Sequence, residues 1–462
     1  MGVAGTVPAG SLAVDMDETS VAASEELVAL GLAALVYAGA LTAFVSWRAM
    51  AILATILGVL QLQFIFDLSI IIGSFNLMPF DMLAVVLAVA SVPRHLMRGR
   101  PDLLTGCWLA FAVWLLIAFL RGASAHGLTT AAVSFRTDLY FVVVSVYLLS
   151  FTWTPRDLDG FVKLWFAAAA ALSAYALVCW IDPSLTVWSW MLVDRSGRMA
   201  FLNWRVLPAS SALLIAEAGL LSIALWSRSS GLSVRRFLAV PFLIVVVLLY
   251  HRSVWTATAV SLAALFALRP QFLQRLALPV VLAMVAFAVT WAMSLGLGGD
   301  FLSEALSSAV AEPFDDRSTW TWRTVGWEVI VPEILGGGPI TMLFGNGYGT
   351  GVLNPMTGLP MANPHNAYVE ILMNAGVVGV VLLVGCYALP LWTVWNARAE
   401  EGRHFTIVSA MFLLVTLVIY SVPYSPGGEQ GVVIGAAVGL AARCRRERPA
   451  PAAGFGAARP AL

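Results

Sequence analysis

One apolar run follows another along this chain, each near the length that crosses a bilayer, and that pattern leaves few folds open. Runs occupy residues 27–45, 49–66, 77–92, 103–120, 139–153 and 161–181. More follow at 206–226, 237–250, 254–268, 276–297, 368–392, 405–422 and 431–442. A helical span needs about 20 such residues, so the pattern predicts about 12–13 spans. With 60% hydrophobic and only 11% charged residues, the chain carries more apolar surface than a soluble domain needs. The expected fold class is all-α, a polytopic transmembrane helical bundle in contact with the lipid bilayer, with one large external loop between late spans. The formal net charge of +0 does not point to a polyanionic partner, and no nucleic acid is expected. Cys107, Cys179, Cys386 and Cys444 have no metal-site spacing and read as small packing residues.

Residues 1–26 form an acidic N-terminal tail with Asp15, Asp17, Glu18, Glu25 and Glu26. Without a basic leader or a cleavage signal, the run at 27–45 reads as a retained first span. Residues 27–442 then make a single transmembrane domain, and 443–462 a disordered tail, basic at its start and rich in Ala and Pro. Arg94/Arg98/Arg100, Arg156/Lys163, Arg228/Arg235/Arg236, Arg269/Arg275 and Arg398/Arg403 alternate along the loops, and the positive-inside rule puts them in the cytoplasm. The opposite loops, 121–137, 182–205, the His251-Arg252 turn and 298–367, are then external. Trp188, Trp190, Trp204, Trp320, Trp322 and Trp327 crowd two of those loops, where headgroup anchoring is their ordinary use. No internal repeat appears, and no matching pair of broken spans, which argues against a secondary transporter.

Positive residues on the external side run against this bias and single out the candidate site: Arg195, Arg198, Arg205, Arg252 and Arg323. Arg252 closes a turn so short that its guanidinium sits at the interface. It could snorkel to lipid phosphates or clamp a diphosphate, whose oxygens its planar fork matches. In the long loop, Gly345-Asn346-Gly347-Tyr348-Gly349 lacks the strand, helix start and GKS/GKT of a nucleotide loop, and reads as tight turns. Asp315-Asp316 reads as a solvated pair, and no metal or cofactor is expected. Asn363 can cap the next helix with Pro364 at its first position, leaving His365 and Asn366 in the first turn. The positive helix end then keeps His365 neutral and attracts anions. Asn366 and Glu370, one turn apart, can support one another. A neutral base beside outward arginines suits transfer with an anionic leaving group.

These residues resemble the O-antigen ligase/polymerase-like superfamily of bacterial polytopic membrane glycosyltransferases. The resemblance rests on Arg323…Trp327…Phe344-Gly345-Asn346-Gly347-Tyr348-Gly349…Pro364-His365-Asn366-Ala367-Tyr368…Asn374-Ala375-Gly376-Val377-Val378-Gly379. Arg252-Ser253 is similar to the family's SR[ST] segment, and Arg198-Met199-Ala200-Phe201-Leu202-Asn203 to its arginine loop, with Ala200 in place of glycine. The resemblance implies metal-independent transfer or polymerisation of a glycan from a polyprenyl-diphosphate-linked donor to a glycan or glycolipid acceptor. It implies a cytoplasmic (inner) membrane protein, multi-pass, working on its external, periplasmic face. His365, Arg252 and Arg198 would be catalytic, with His365 on the acceptor hydroxyl and the two arginines on the diphosphate. Arg323, Asn366, Trp327 and Arg205 would bind substrate. The alternative is a lipid-linked glycan flippase or polysaccharide transporter without catalysis. It predicts charged residues lining the bundle, where the sequence offers Asp67, Asp81 and Glu217.

Overall fold

In this computed structural model the described residues are 38–39, 41–43, 46–59, 70–72, 75–99, 101–182, 185, 206–227, 234–249, 251–268, 319–353, 360–361, 364–398 and 404–446. They form an all-α bundle. Its helices are α1 (Trp47–Val59), α2 (Pro79–Met97), α3 (Leu103–His126), α4 (Leu128–Leu149), α5 (Pro155–Ile181), α6 (Ala209–Ala224), α7 (Ala239–Leu248) and α8 (Arg252–Leu268). After them come α9 (Thr319–Gly336), α10 (Pro339–Phe344), α11 (Ala367–Asn396), α12 (His404–Tyr420) and α13 (Gly428–Arg446). Two small antiparallel hairpins complete the list, β1 (Ile70–Ile72) with β2 (Phe75–Leu77) and β3 (Val352–Leu353) with β4 (Pro360–Met361).

Five helices, α2, α3, α4, α5 and α11, are long and apolar enough to cross a membrane. Their outward faces leave Val89, Leu120 and Val381 more than half exposed (53%, 58% and 63%), as expected of side chains that meet lipid tails. The expected run at 276–297, most of that at 27–45, the N-terminal tail and residues 447–462 lie outside the described residues, while residues 443–446, expected as the start of a disordered tail, continue α13 to Arg446 with Cys444 buried. The region 121–137, expected as an external loop, is helical instead. α3 continues to His126, Gly127 at φ 86 turns the chain, and α4 starts at Leu128. The apolar run was too short a guide because the polar ends of both helices are tied inside the protein. Arg136 and Asp81 form a 3.1 Å ion pair, and the Tyr140 hydroxyl donates to Asp81 at 2.6 Å.

Two of the basic residues meet the same turn at one end of the bundle. Arg98 at the end of α2 donates to the Leu149 carbonyl at the end of α4, and Arg443 in α13 to the Trp153 carbonyl before α5. The other end holds the start of α11, which is joined to the end of α12 by the Ala367 amide on the Ser421 carbonyl (2.9 Å). Between the ends runs α13, buried along nearly all its length. Its Gly431, Gly435 and Gly439 form a ridge of hydrogen atoms. A β-carbon on them would lie 2.6 Å from the Phe141 carbonyl oxygen, 2.6 Å from Leu148 and 2.2 Å from the Trp153 ring. Small residues at this spacing let helix backbones touch, which is how spans pack tightly without a hydrophobic driving force.

The long loop is also folded. α11 is broken at Gly376 (φ 69, ψ −170), so the carbonyls before the break lose their helical donors. The loop supplies replacements: Asn346 N–H donates to the Met373 carbonyl (2.8 Å) and Gly347 N–H to that of Asn374 (3.0 Å). Trp114 of α3 supplies a third, donating to the Ala375 carbonyl at 2.9 Å. The glycines at 345, 347 and 349, all at positive φ, make the tight turns read from the sequence, and these turns dock onto α3 and α11. Gly376 occupies a backbone region essentially closed to other residues, and a β-carbon there would sit 2.4 Å from the Leu343 carbonyl. Gly376→Ala is therefore expected to destabilise the fold by about 3 kcal/mol or more, read as a lowered midpoint for thermal unfolding in detergent. A neutral outcome would show that the break does not hold the loop.

Candidate active site

His365 sits where four segments meet. α9 packs on α11 through Ile330, Ile334, Val369 and Met373, all buried. From α9 the Trp327 indole N–H donates to the Pro364 carbonyl at 2.8 Å, fixing the backbone just before His365. Just after it, the Asn366 side-chain oxygen accepts from the Tyr368 and Val369 amides at 2.9 and 3.1 Å and caps α11. The Tyr368 hydroxyl reaches the Val418 carbonyl of α12 at 3.0 Å. The cap thus lies three residues later than the expected Asn363, itself outside the described residues, and His365 precedes the helix instead of occupying its first turn. The reason is local: Asn366 adopts extended backbone (φ −154) with its amide oxygen over the first free N–H groups. Asn366 and Glu370 meet through backbone, Glu370 N–H to the Asn366 carbonyl at 2.8 Å, while the Glu370 carboxylate accepts from Ser425.

The His365 backbone is left-handed, at φ 51, the one non-glycine residue of positive φ among the described residues. Such strain persists only where the surroundings over-determine it. Here the Trp327 bond and the Asn366 cap do so on either side. Burial first, and the Arg323 guanidinium second, push the His365 imidazole down to about 4. The expected neutrality is present, but its causes differ from the helix-end effect read from the sequence.

Arg323 itself lies over the Tyr424 ring, 4.9 Å from its centroid, and Tyr424 stacks on Tyr420 at 5.1 Å. Its Nε is buried and makes no hydrogen bond among the described residues. A buried charged donor is costly, and the Tyr424 ring face offsets part of that cost. Arg252 opens α8 at the same end of the bundle. α8 lies antiparallel to α12, tied by Ser261 to Thr416 at 2.7 Å, and its preceding His251 bonds the Leu207 carbonyl at 2.8 Å. The structure thus brings His365, Arg323, Trp327 and Asn366 into one cluster, with Arg252 on a neighbouring helix end. Arg198 and Arg205 lie outside the described residues.

Sequence reasoning missed several buried polar ties near this site. Tyr348, fully buried, donates to Asp138 at 2.7 Å and locks the glycine loop to α4. Burial first, then the Asp138 charge, holds its phenol well above the usual tyrosine range, so it remains a donor. Arg121 binds the Phe344 and Gly345 carbonyls at 2.7 and 2.9 Å. The acids inside the bundle exceed the few the sequence offered, and four have a protein partner: Asp81 with Arg136, Asp138 with Tyr348, Glu217 with Trp165 at 3.0 Å through one oxygen, and Glu370 with Ser425. The other Glu217 oxygen is buried without a partner among the described residues, and Asp67 lies outside them. The paired oxygens tie helices together.

The described residues thus form a multi-pass helical bundle with Arg323, Arg252 and a neutral His365 towards one end. A family model described as O-antigen ligase matches residues 237–384, which contain Arg252, Arg323, Trp327, His365 and Asn366. The match spans less than half of the chain. Over those residues the chain is similar to the O-antigen ligase family. No curated protein matches the chain.

The strained His365 yields a test that separates catalysis from stability. His365→Gly relieves the left-handed strain and should raise the unfolding midpoint or leave it unchanged, by about 0–1 kcal/mol, while abolishing transfer. A loss of stability together with activity would assign His365 a structural role instead.

Proposed function

We propose that the chain is a membrane glycosyltransferase that transfers or polymerises a polyprenyl-diphosphate-linked glycan on the external face of the cytoplasmic membrane, without a metal ion. The single observation that carries this reading is the neutral His365 beside Arg323, whose buried Nε makes no hydrogen bond among the described residues. In the reaction the acceptor hydroxyl oxygen bonds to the anomeric carbon while the bond from that carbon to the diphosphate oxygen breaks. The hydroxyl proton passes to the His365 imidazole, and the electron pair of the broken bond leaves with the polyprenyl diphosphate. Arg252 and Arg198 hold that diphosphate as its charge grows, which fixed guanidinium groups in a water-poor site do well. Arg323, Asn366, Trp327 and Arg205 shape the acceptor side, with Trp327 and Asn366 acting through the backbone around His365. An imidazole near 4 is a weak base. It orients the hydroxyl first and takes the proton late, and a bound diphosphate beside it raises its basicity by offsetting Arg323.

The test is diphosphate release from polyprenyl-diphosphate glycan by the purified protein, with EDTA present and candidate acceptors supplied. Release by the wild type should depend on acceptor, and the productive acceptor separates ligase from polymerase. His365→Ala should lower kcat by roughly 10²–10⁴-fold, and Arg252→Ala by roughly 10²–10³-fold. Undiminished turnover in both variants would overturn the assignment, and lipid-glycan movement across proteoliposomes without release would replace it with a flippase.

The pH profile gives a second check. Because His365 loses its proton near 4, kcat/KM should stay level as pH falls from 7 to 5 and drop only toward 4. Removing the nearby positive charge with Arg323→Gln should move that acid limb upward. It should stay below the ordinary histidine value of about 6.5, since burial is the larger cause. A wild-type limb at the ordinary value would remove His365 from this role.

A further inference from the structure

The basic end of the bundle, opposite His365, holds a cavity of about 410 Å³ between the ends of α2 and α13 and the turn joining α4 to α5. Two guanidinium groups, Arg98 and Arg443, lie in its lining together with Thr105 and Thr152, and the lining contains no carboxylate. Both arginines are fixed by carbonyls of that one turn. Arg98 Nη1 donates to Leu149 at 2.5 Å and Phe151 at 3.4 Å, and Arg443 Nη1 donates to Trp153 at 3.5 Å. Arg94 adds a third charge nearby, 3.6 Å from the Phe151 ring centroid and bonded to Ser150 at 3.1 Å. Forks held in place by backbone lose little freedom when they bind phosphate oxygens. The corner beside them is apolar: Leu96, Met97 and Leu103 are 76%, 68% and 57% exposed. A free anion gains nothing from such a corner, whereas acyl chains do.

We propose that this cavity binds the phosphate-bearing headgroup of an anionic membrane lipid between Arg98 and Arg443, with its chains lying over the α2–α3 corner. The cavity is separate from the transfer site. α13 starts beside Ser425, which bonds Glu370, and reaches Arg443 after about 22 Å of helix. The lipid bound here is therefore retained and not consumed, and it braces the turn against which α13 closes.

Native mass spectrometry of the full chain, released from nanodiscs of mixed phosphatidylglycerol and phosphatidylcholine, tests this. The wild type should keep phosphatidylglycerol in preference to phosphatidylcholine. Arg443→Gln should lower that retention about tenfold, and Arg443→Lys should restore much of it. Because Arg98 also secures the turn, Arg98→Gln is read only alongside an unchanged unfolding midpoint, and Arg443→Gln carries the test if that midpoint falls. Millimolar inorganic phosphate should not displace the lipid. Equal retention of the two lipids, or retention unaffected by Arg443→Gln, would overturn the proposal. Displacement by inorganic phosphate would assign the cavity to a free anion instead. Transfer of glycan is not part of the readout, so failure here leaves the reading of the His365 site untouched.

Discussion

The backbone accounting at the break in α11 is the constraint on which the functional end of this protein depends. A helix that stops and restarts at Gly376 leaves carbonyls with no partner, and in an apolar surrounding each such group costs several kcal/mol. The chain meets that cost with a loop and a tryptophan. Asn346, Gly347 and Trp114 supply the three missing donors, and the loop can come close enough only because Gly345, Gly347 and Gly122 present no side chain at the contact. Arg121 and Tyr348 then secure the two flanks of the loop. The start of α11, and therefore His365, inherits its position from this arrangement.

The bundle was legible in the sequence where the signal is long-range composition. The apolar runs at 77–92, 103–120, 161–181 and 368–392 each fall on a described helix, and the glycine loop reads correctly as turns. Helix ends were less legible. Polar residues such as Arg121, Arg136 and Asp138 look like loop, because only the fold shows that Gly345, Asp81 and Tyr348 stand ready to receive them. The cap of α11 failed for a related reason. Both Asn363 and Asn366 are good caps, and the choice depends on Trp327, distant in sequence, which holds Pro364 outside the helix. One signal went unused: the spacing of Gly431, Gly435 and Gly439 marks α13 as a close-packed central helix, although its apolar run is short.

The candidate site combines opposing demands. His365 must be buried to be oriented, and burial next to Arg323 keeps it uncharged. Arg323 must stay charged, and the stacked pair Tyr424 and Tyr420 offers its guanidinium a π-face without neutralising it. A carboxylate in that place would have closed an ion pair and left less attraction for an incoming anion. Aromatic support therefore keeps the positive field available, while the neutral imidazole keeps its lone pair.

The glycine ridge of α13 also has a consequence in time. Ser145 of α4 bonds the Gly431 carbonyl across 286 residues of chain. At about 5–20 residues per second, α4 emerges from the ribosome roughly 15–60 s before the helix that completes its packing. Through that interval Phe141 and Trp153 can pack on Trp108, Trp47 and Phe161 of helices already made, while the face that the α13 glycines meet stays uncovered by its native partner. The bundle is thus assembled around a vacancy that is filled late, and its vulnerability to misassembly is concentrated in the seconds before α13 arrives.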